Sequence, residues 1–230
     1  HQVHQAPGSG ELVDEVLASL ALGPGSSAAD CTVGGGGHAE RLLEASSPDG
    51  RLLGIDADRA AIAEAHRFLE RFGDRVVLRH ANFAQLHETA RDAGFVDLDA
   101  VLFDLGLSSY QLADPARGFG FAADAPPDMR FDEDRGVSAL DLIDRSSERE
   151  LAGVLATFGE ERRAGRIAKA ILAARAEGRL MTAADLAAVV ASAAPQRGAD
   201  RGRIHPATRT FQALRIAVNR ELDVLGIGLE

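Results

Sequence analysis

Asp30-Cys31-Thr32-Val33-Gly34-Gly35-Gly36-Gly37-His38 is the densest run of residues able to do chemistry in this chain. Four consecutive glycines let the main chain take positive φ and let a ligand come close to its N–H groups. Gly34, Gly36 and Ala39 satisfy G-x-G-x-x-G/A, the fingerprint of a dinucleotide-binding loop. Asp30 lies four residues before the first glycine and is not asked for by that fingerprint. Asp56 follows Gly37 by 19 residues and ends an apolar run. An acid there accepts hydrogen bonds from ribose hydroxyls, whichever nucleoside is bound. Asp58, two residues on, is the better helix cap. Asp104 ends a further apolar run, in Asp104-Leu105-Gly106-Leu107-Ser108-Ser109. A carboxylate at such a place can accept the N–H of an exocyclic base amine, whose lone pair is delocalised into the ring. Electron density returns to the nitrogen as an electrophile arrives in line.

The elements around these residues alternate. Ala28–Val33, Arg51–Ile55, Arg75–Arg79 and Ala100–Phe103 read as short buried strands. Ala39–Ala45, Ala60–Phe72 and Leu86–Ala93 read as the intervening helices, and 12–22 as a helix stopped by Gly23-Pro24-Gly25. The pattern predicts βαβ units, a parallel sheet and an α/β class. In such sheets ligands sit at the carboxyl ends of the strands, where Asp30, Asp56 and Asp104 fall. From Gly106 to Arg135 no period is sustained, and long stretches of that kind are usually functional. Helices resume at Glu148–Phe158 and Glu160–Glu177, the latter with Ile167, Ile171 and Leu172 inward. Thr182 starts the next, with Asp185 at the capping-box offset, and Pro195 ends it. Gln196–Arg203 is a polar loop. Pro206 suits the first turn of a last helix, with Phe211, Leu214, Val218 and Leu222 as its apolar stripe.

Composition sets outer limits. The 230 residues suit one domain plus an insertion at about 150 residues per domain. At 46% hydrophobic and 26% charged, the chain is not globally disordered. Cys31 is the single cysteine, which excludes an intramolecular disulfide and a cysteine-rich zinc site; we expect no metal. No apolar run nears the ~20 residues of a membrane span, and His1–Glu11 lacks a signal-peptide core, so a cytoplasmic location is the default. The net charge of −10 argues against nucleic acid, but its distribution does not. Residues 1–104 hold 8 basic and 17 acidic side chains, whereas residues 145–220 hold 14 and 7. The basic residues of that segment are all arginine but for Lys169, and arginine's planar fork suits phosphate.

Asp30 ahead of the glycines resembles the first motif of class I S-adenosylmethionine methyltransferases, whose cofactor carries a sulfonium and an ammonium and no phosphate. Longer strings sharpen the likeness. They are Asp30-x-Thr32-x-Gly34-x-Gly36-Gly37-His38, Asp104-Leu-Gly-Leu-Ser-Ser109 with Gln111-Leu112, and Arg117-Gly118-Phe119-Gly120-Phe121. Further along come Asp124-Ala125-Pro126-x-Asp128-Met129-Arg130, Gly159-Glu160-Glu161-Arg162 and His205-Pro206-Ala207-Thr208-Arg209-Thr210-Phe211-Gln212-Ala213-Leu214-Arg215-Ile216. With these strings the chain closely resembles the ribosomal RNA small subunit methyltransferase H family, formerly called MraW, from about residue 12 to 222.

The resemblance implies N4-methylation of a cytidine in the decoding region of 16S rRNA, with S-adenosyl-L-methionine as donor and the small ribosomal subunit as substrate. It implies a Rossmann-like methyltransferase core with an inserted helical domain. We place the core at 1–138 and 204–230 and the insertion, basic and RNA-recognising, at 139–203. By position, the cofactor contacts are Asp30, Gly34, Gly36, Gly37, His38, Asp56, Phe83, Asp104 and Gln111, with Asp104 also catalytic. Phe83 either packs on the adenine or is a core aromatic. The 106–130 loop is expected to close on base and donor.

Candidate RNA contacts are Ser108, Ser109, Arg117, Arg130, Arg162, Arg166, Lys169, His205 and Arg209. Arg162, Arg166 and Lys169 recur at i, i+4, i+7, which makes either a phosphate track or a solvated face beside Glu160 and Glu161. Arg117, Arg130 and Arg209 stand near Phe119, Phe121 and Phe211, and splayed bases are read by stacking and by arginine. His205 either caps a helix or meets phosphate, and the stripe makes Phe211 core. A homodimer is an open alternative to a monomer.

The chain departs from the family in places. The family's N-terminal pattern is spread over His4, Pro7 and Leu12. Pro127 and Phe131 stand for an expected Leu and Met. Four of seven expected strands precede Glu230, so a C-terminally truncated chain or a variant is expected, with the fourth strand an uncovered edge. The alternative function is therefore a non-catalytic relative that holds rRNA or cofactor. A third reading, a nicotinamide oxidoreductase, is opposed by Asp30 and the Asp104 turn.

Overall fold

The computed structural model describes residues 19–195 and 205–228. Its contacts divide the chain into two compact units, one of residues 1–106 with 224–230 and one of residues 107–223.

The first unit is the α/β unit the alternation predicts. Its strands are β1 (Ser27–Asp30), β2 (Arg51–Asp56), β3 (Val76–His80) and β4 (Ala100–Leu102). They form one parallel sheet in the order β3-β2-β1-β4. The helices between them are α1 (Gly37–Ala45), α2 (Arg59–Leu69) and α3 (Leu86–Asp92). Parallel strands need crossovers, and helices on the sheet faces bury both sides of the central strands. Ala28, Ala29, Leu52, Leu53 and Ile55 are accordingly buried. Leu42, Leu43, Ala65 and Leu69 cover one face. Ala90 and Phe95, with Phe83 and Phe103, cover the other. In the register, Asp30 pairs with Gly54 on one side and with Leu102 on the other. Three parallel strands in that register bring three carboxyl ends to one rim of the sheet.

The second unit is helical. It holds α4 (Ser109–Ala113), α5 (Ala139–Arg145), α6 (Glu148–Gly159), α7 (Ala164–Ala176), α8 (Ala183–Ala193) and α9 (Thr208–Asn219); α10 (Glu221–Gly228) follows. Capping boxes start four of these: Ser108 with Gln111, Ser138 with Asp141, Ser147 with Glu150, and Thr182 with Asp185. Each satisfies two N–H groups that a helix start leaves without partners. Leu151, Leu155, Ile167, Ile171, Leu186, Val190, Phe211 and Leu214 form the core. A Cβ on Gly159 would lie 2.4 Å from the Arg209 carbonyl, so α6 and α9 approach at a bare backbone position.

Several expectations change. By contacts, residues 107–138 and 204–223 group with the segment 139–203 that was expected to be the insertion. Helix α5 is an element the sequence reading passed over. Helix α7 starts at Ala164, so Arg162 sits in the turn before it. The last stripe stops at Val218, because Arg220 takes φ 51° and breaks the helix, leaving Leu222 exposed. Most of the helix expected at 12–22 and the loop at Gln196–Arg203 lie outside the described residues.

The long irregular stretch is packed from within its unit. Met129 N–H donates to the Arg117 carbonyl, and Ala139 N–H to that of Asp128. Asn219 donates to the Met129 carbonyl and accepts from Phe131 N–H, both at 2.7 Å. A Cβ on Gly118 would lie 2.4 Å from the Pro126 carbonyl.

Candidate active site

The rim of the sheet is assembled by hydrogen bonds among the strand ends themselves. After β1 the chain turns, and Thr32 N–H donates to Asp30 Oδ1 at 3.1 Å. Val33 N–H donates to the Ile55 carbonyl and Cys31 N–H to that of Leu102, which continue the ladder past both strand ends. Gly34 then takes φ 51° and Gly36 φ 96°, the left-handed region that glycine enters at no steric cost. A Cβ on Gly36 would lie 3.1 Å from Phe68 and 3.2 Å from Leu69, whereas one on Gly37 would meet nothing within 4 Å. The turn is packed on the α2 side and open at the start of α1.

Asp56 is held by the same turn. Its Oδ2 accepts Gly34 N–H at 2.9 Å and its Oδ1 accepts Asp58 N–H at 2.8 Å. Asp58 caps α2, accepting Ala60 N–H at 2.9 Å, as its position implied. A carboxylate offers about four acceptor positions, so Asp56 keeps two for ligand hydroxyls. Burial pushes its pKa up to about 6. Asp30 is more deeply buried, and that burial, with the charges of Asp56 and Asp104 adding to it, pushes its pKa up to about 7. Its Oδ2 is buried with no hydrogen-bond partner among the described residues.

Asp104 contrasts with both, its side chain being 63% exposed. Its main-chain N–H donates to Thr32 Oγ1 at 2.8 Å, which ties the end of β4 to the turn after β1. His38, in the first turn of α1, places Nδ1 3.7 Å from Asp104 Oδ2. Thr32 is the positioning residue that sequence reasoning left out of the site. Its signal was a hydroxyl two residues after Asp30, in the turn that follows β1. Phe83 is half-buried, edge-on to Phe103 with centroids 5.5 Å apart. It is a packed aromatic with part of its surface still accessible.

The remaining predicted residues lie in the helical unit. Gln111 is buried and its Oε1 accepts Ser108 N–H at 3.0 Å, while Ser108 Oγ accepts Gln111 N–H at 3.2 Å. The pair is a capping box of α4, whose first residue is Ser109. Two of the predicted RNA contacts already have partners within the unit. Arg117 is only 4% exposed and its guanidinium donates to the Arg130 and Phe131 carbonyls, so it braces the irregular stretch instead of facing solvent. Arg130 is engaged by Asp128 through two nitrogens, at 2.8 and 2.7 Å. Arg162, Arg166 and Lys169 are exposed. Arg209, also exposed, reaches the Glu160 carbonyl at 3.4 Å. Among the described residues no group of three or more His, Cys, Asp or Glu could hold a metal, and no helix is long and apolar enough to cross a membrane.

Three carboxylates around a glycine turn suit a cationic ligand with hydroxyls and repel a pyrophosphate. With that geometry described, sequence comparison decides the family. The profile of the MraW methylase family matches residues 7–230. This chain belongs to that family. Its α/β unit is thus the Rossmann-like core of a methyltransferase family. Among similar proteins, the "Ribosomal RNA small subunit methyltransferase H" of Syntrophotalea carbinolica is 50% identical over 96% of this chain and 70% of its own length. The protein of the same name from Thermomicrobium roseum is 50% identical over 95% of this chain and 66% of its own. That from Geotalea uraniireducens is 51% identical over 93% and 68%. The chain thus spans about two thirds of the length of these relatives.

Proposed function

We propose that this MraW-family chain transfers the methyl of S-adenosyl-L-methionine to N4 of a cytidine in the decoding region of 16S rRNA, on the small ribosomal subunit. The relatives' names support rRNA of the small subunit as substrate. The observation that carries the chemistry is Asp104: an exposed carboxylate at the carboxyl end of β4, with its backbone fixed by Thr32 beside the glycine turn.

The residues present fit the donor. Asp30 Oδ2 is a buried acceptor without a partner among the described residues, Asp56 has acceptor capacity left for ribose hydroxyls, and the turn is open at Gly37. Asp30, Gly34, Gly36, Gly37, His38, Asp56 and Phe83 are the residues of the α/β unit proposed to hold it. When bound, the donor supplies an electrophilic methyl group on a sulfonium. Asp104 accepts the N–H of the cytosine amine, raises electron density on N4 and takes up the proton the amine loses. His38 Nδ1 stands 3.7 Å from Asp104 Oδ2, beside the same turn. The rest of the rate comes from positioning.

The test is transfer from labelled donor to small subunits of a strain lacking the modification, with nucleoside digestion to identify N4-methylcytidine. Asp104→Ala should slow transfer by at least about a hundredfold. Equal rates for the variant and the parent would overturn the role given to Asp104. Label on another nucleoside would overturn the position.

A further inference from the structure

The helical unit carries an aromatic stack that the proposed chemistry does not use. Phe211, on α9, is buried. Phe121 meets it edge-on, with centroids 4.8 Å apart and ring planes at 82°. The His205 ring lies flat on Phe121, at 4.4 Å and 16°. Of the three rings, Phe211 is anchored in the core, Phe121 is half-buried and His205 is exposed. The stack therefore runs from the interior to a planar ring at the surface.

Hydrogen bonding fixes that ring in place. Ala207 N–H donates to His205 Nδ1 at 3.2 Å, two residues along the chain. A neutral ring held this way carries its proton on Nε2, away from the helix start. The pieces are an exposed ring, an orientation fixed by a hydrogen bond and a second ring nitrogen left as donor. Arg209, four residues on from His205, is exposed in the first turn of α9; its guanidinium reaches the Glu160 carbonyl, and exposed Arg162 and Arg163 follow Glu160 in the chain. Glu160 and Glu161 are the acids of the same turn.

We infer that His205, backed by Phe121, is a stacking platform for an unpaired nucleobase of a single-stranded RNA segment, with Arg209 beside the backbone. Unpaired bases are held by stacking on planar side chains, with cations tracking the phosphates. The inference rests on the reading of the substrate as RNA and adds a place on the helical unit where the strand is gripped.

The ring and its Nδ1 can be separated by substitution. His205→Phe keeps a flat ring and loses the acceptor. His205→Asn keeps an acceptor for Ala207 N–H and loses the ring. The probe is a fluorescent single-stranded oligoribonucleotide of about ten nucleotides, titrated by anisotropy with the full chain and compared with an abasic version. His205→Phe should bind like the parent, and His205→Asn should bind about tenfold more weakly. The abasic probe should bind parent and His205→Asn alike. Melting should follow the opposite order, with His205→Asn the closer to the parent. Equal RNA affinity of both variants and the parent would overturn the platform. So would loss of binding in His205→Phe but not in His205→Asn, which would assign the residue to capping. Methyl transfer by the parent is read separately, so transfer with no effect of the ring sinks this inference alone. Absence of transfer with ring-dependent binding sinks only the catalytic reading.

Discussion

Asp104 N–H donates to Thr32 Oγ1 at 2.8 Å across 72 residues of chain. That bond joins two neighbouring parallel strands just past their last ladder pair, Asp30 with Leu102. The catalytic carboxylate proposed here is otherwise exposed, so its backbone anchor is what fixes its position. Thr32→Val keeps the shape and removes the acceptor, leaving the Asp104 N–H without its protein partner. It should cost about 1 kcal/mol of stability. Transfer should fall by roughly ten- to a hundredfold through misplacement of Asp104, with donor affinity by calorimetry nearly unchanged. Thr32→Ser should restore most of the rate. A Val variant with parental turnover would show that the anchor is dispensable.

The two glycines at the turn make opposite predictions. Gly36→Ala would force a side chain into φ 96° and against Phe68 and Leu69. It should lower stability by about 1–3 kcal/mol, seen in urea unfolding. Gly37 opens α1, and a Cβ there meets only open space. Gly37→Ala should therefore unfold like the parent, yet weaken donor binding because the methyl enters the space a ligand fills. Parental donor affinity in Gly37→Ala would place the ligand elsewhere.

Burial holds Asp30 at about 7 and Asp56 at about 6, against 3.8 for a free carboxyl. Between those values the folded chain keeps protons that the unfolded chain has released. Stability from these groups is complete below the unfolded value and is lost as pH rises through the folded ones. Without donor, the melting temperature should fall from about pH 5 to about pH 8. Asp30→Asn, neutral throughout, should flatten that fall and melt above the parent at the alkaline end. It should also bind the cationic donor more weakly. A parent curve that rises across this range would contradict the buried, acid-rich rim.

At Gly159 the prediction concerns packing. A Cβ there would come within 2.4 Å of the Arg209 carbonyl, a backbone atom that cannot swing aside. Gly159→Ala should part α6 from α9 and destabilise the helical unit by about 1–3 kcal/mol, measured by chemical unfolding. Gly153→Ala, on the same helix with nothing within 4 Å, should be neutral or mildly stabilising.

The sequence by itself determined the α/β alternation, because strand runs such as Arg51–Asp56 are apolar on both faces and are bounded by glycines and acids. It also determined the caps at Asp58 and Thr182, where a short polar side chain satisfies N–H groups two or three residues away. It located Asp56 and Asp104 at strand ends, since each terminates an apolar run, and Asp30 near the end of a first strand expected to run on to Val33, whereas β1 ends at Asp30 itself. Local spacing could not say which residues meet across the sheet. Thr32 touches Asp104, and Gly34 touches Asp56, only because the strands lie parallel in one register. Nor could it tell a solvent-facing arginine from a structural one: Arg117 and Arg209 stand in similar strings beside aromatics. Packing buried Arg117 on two carbonyls and left Arg209 outside. Burial and distant pairing are properties of the folded chain, since they depend on where other segments come to lie.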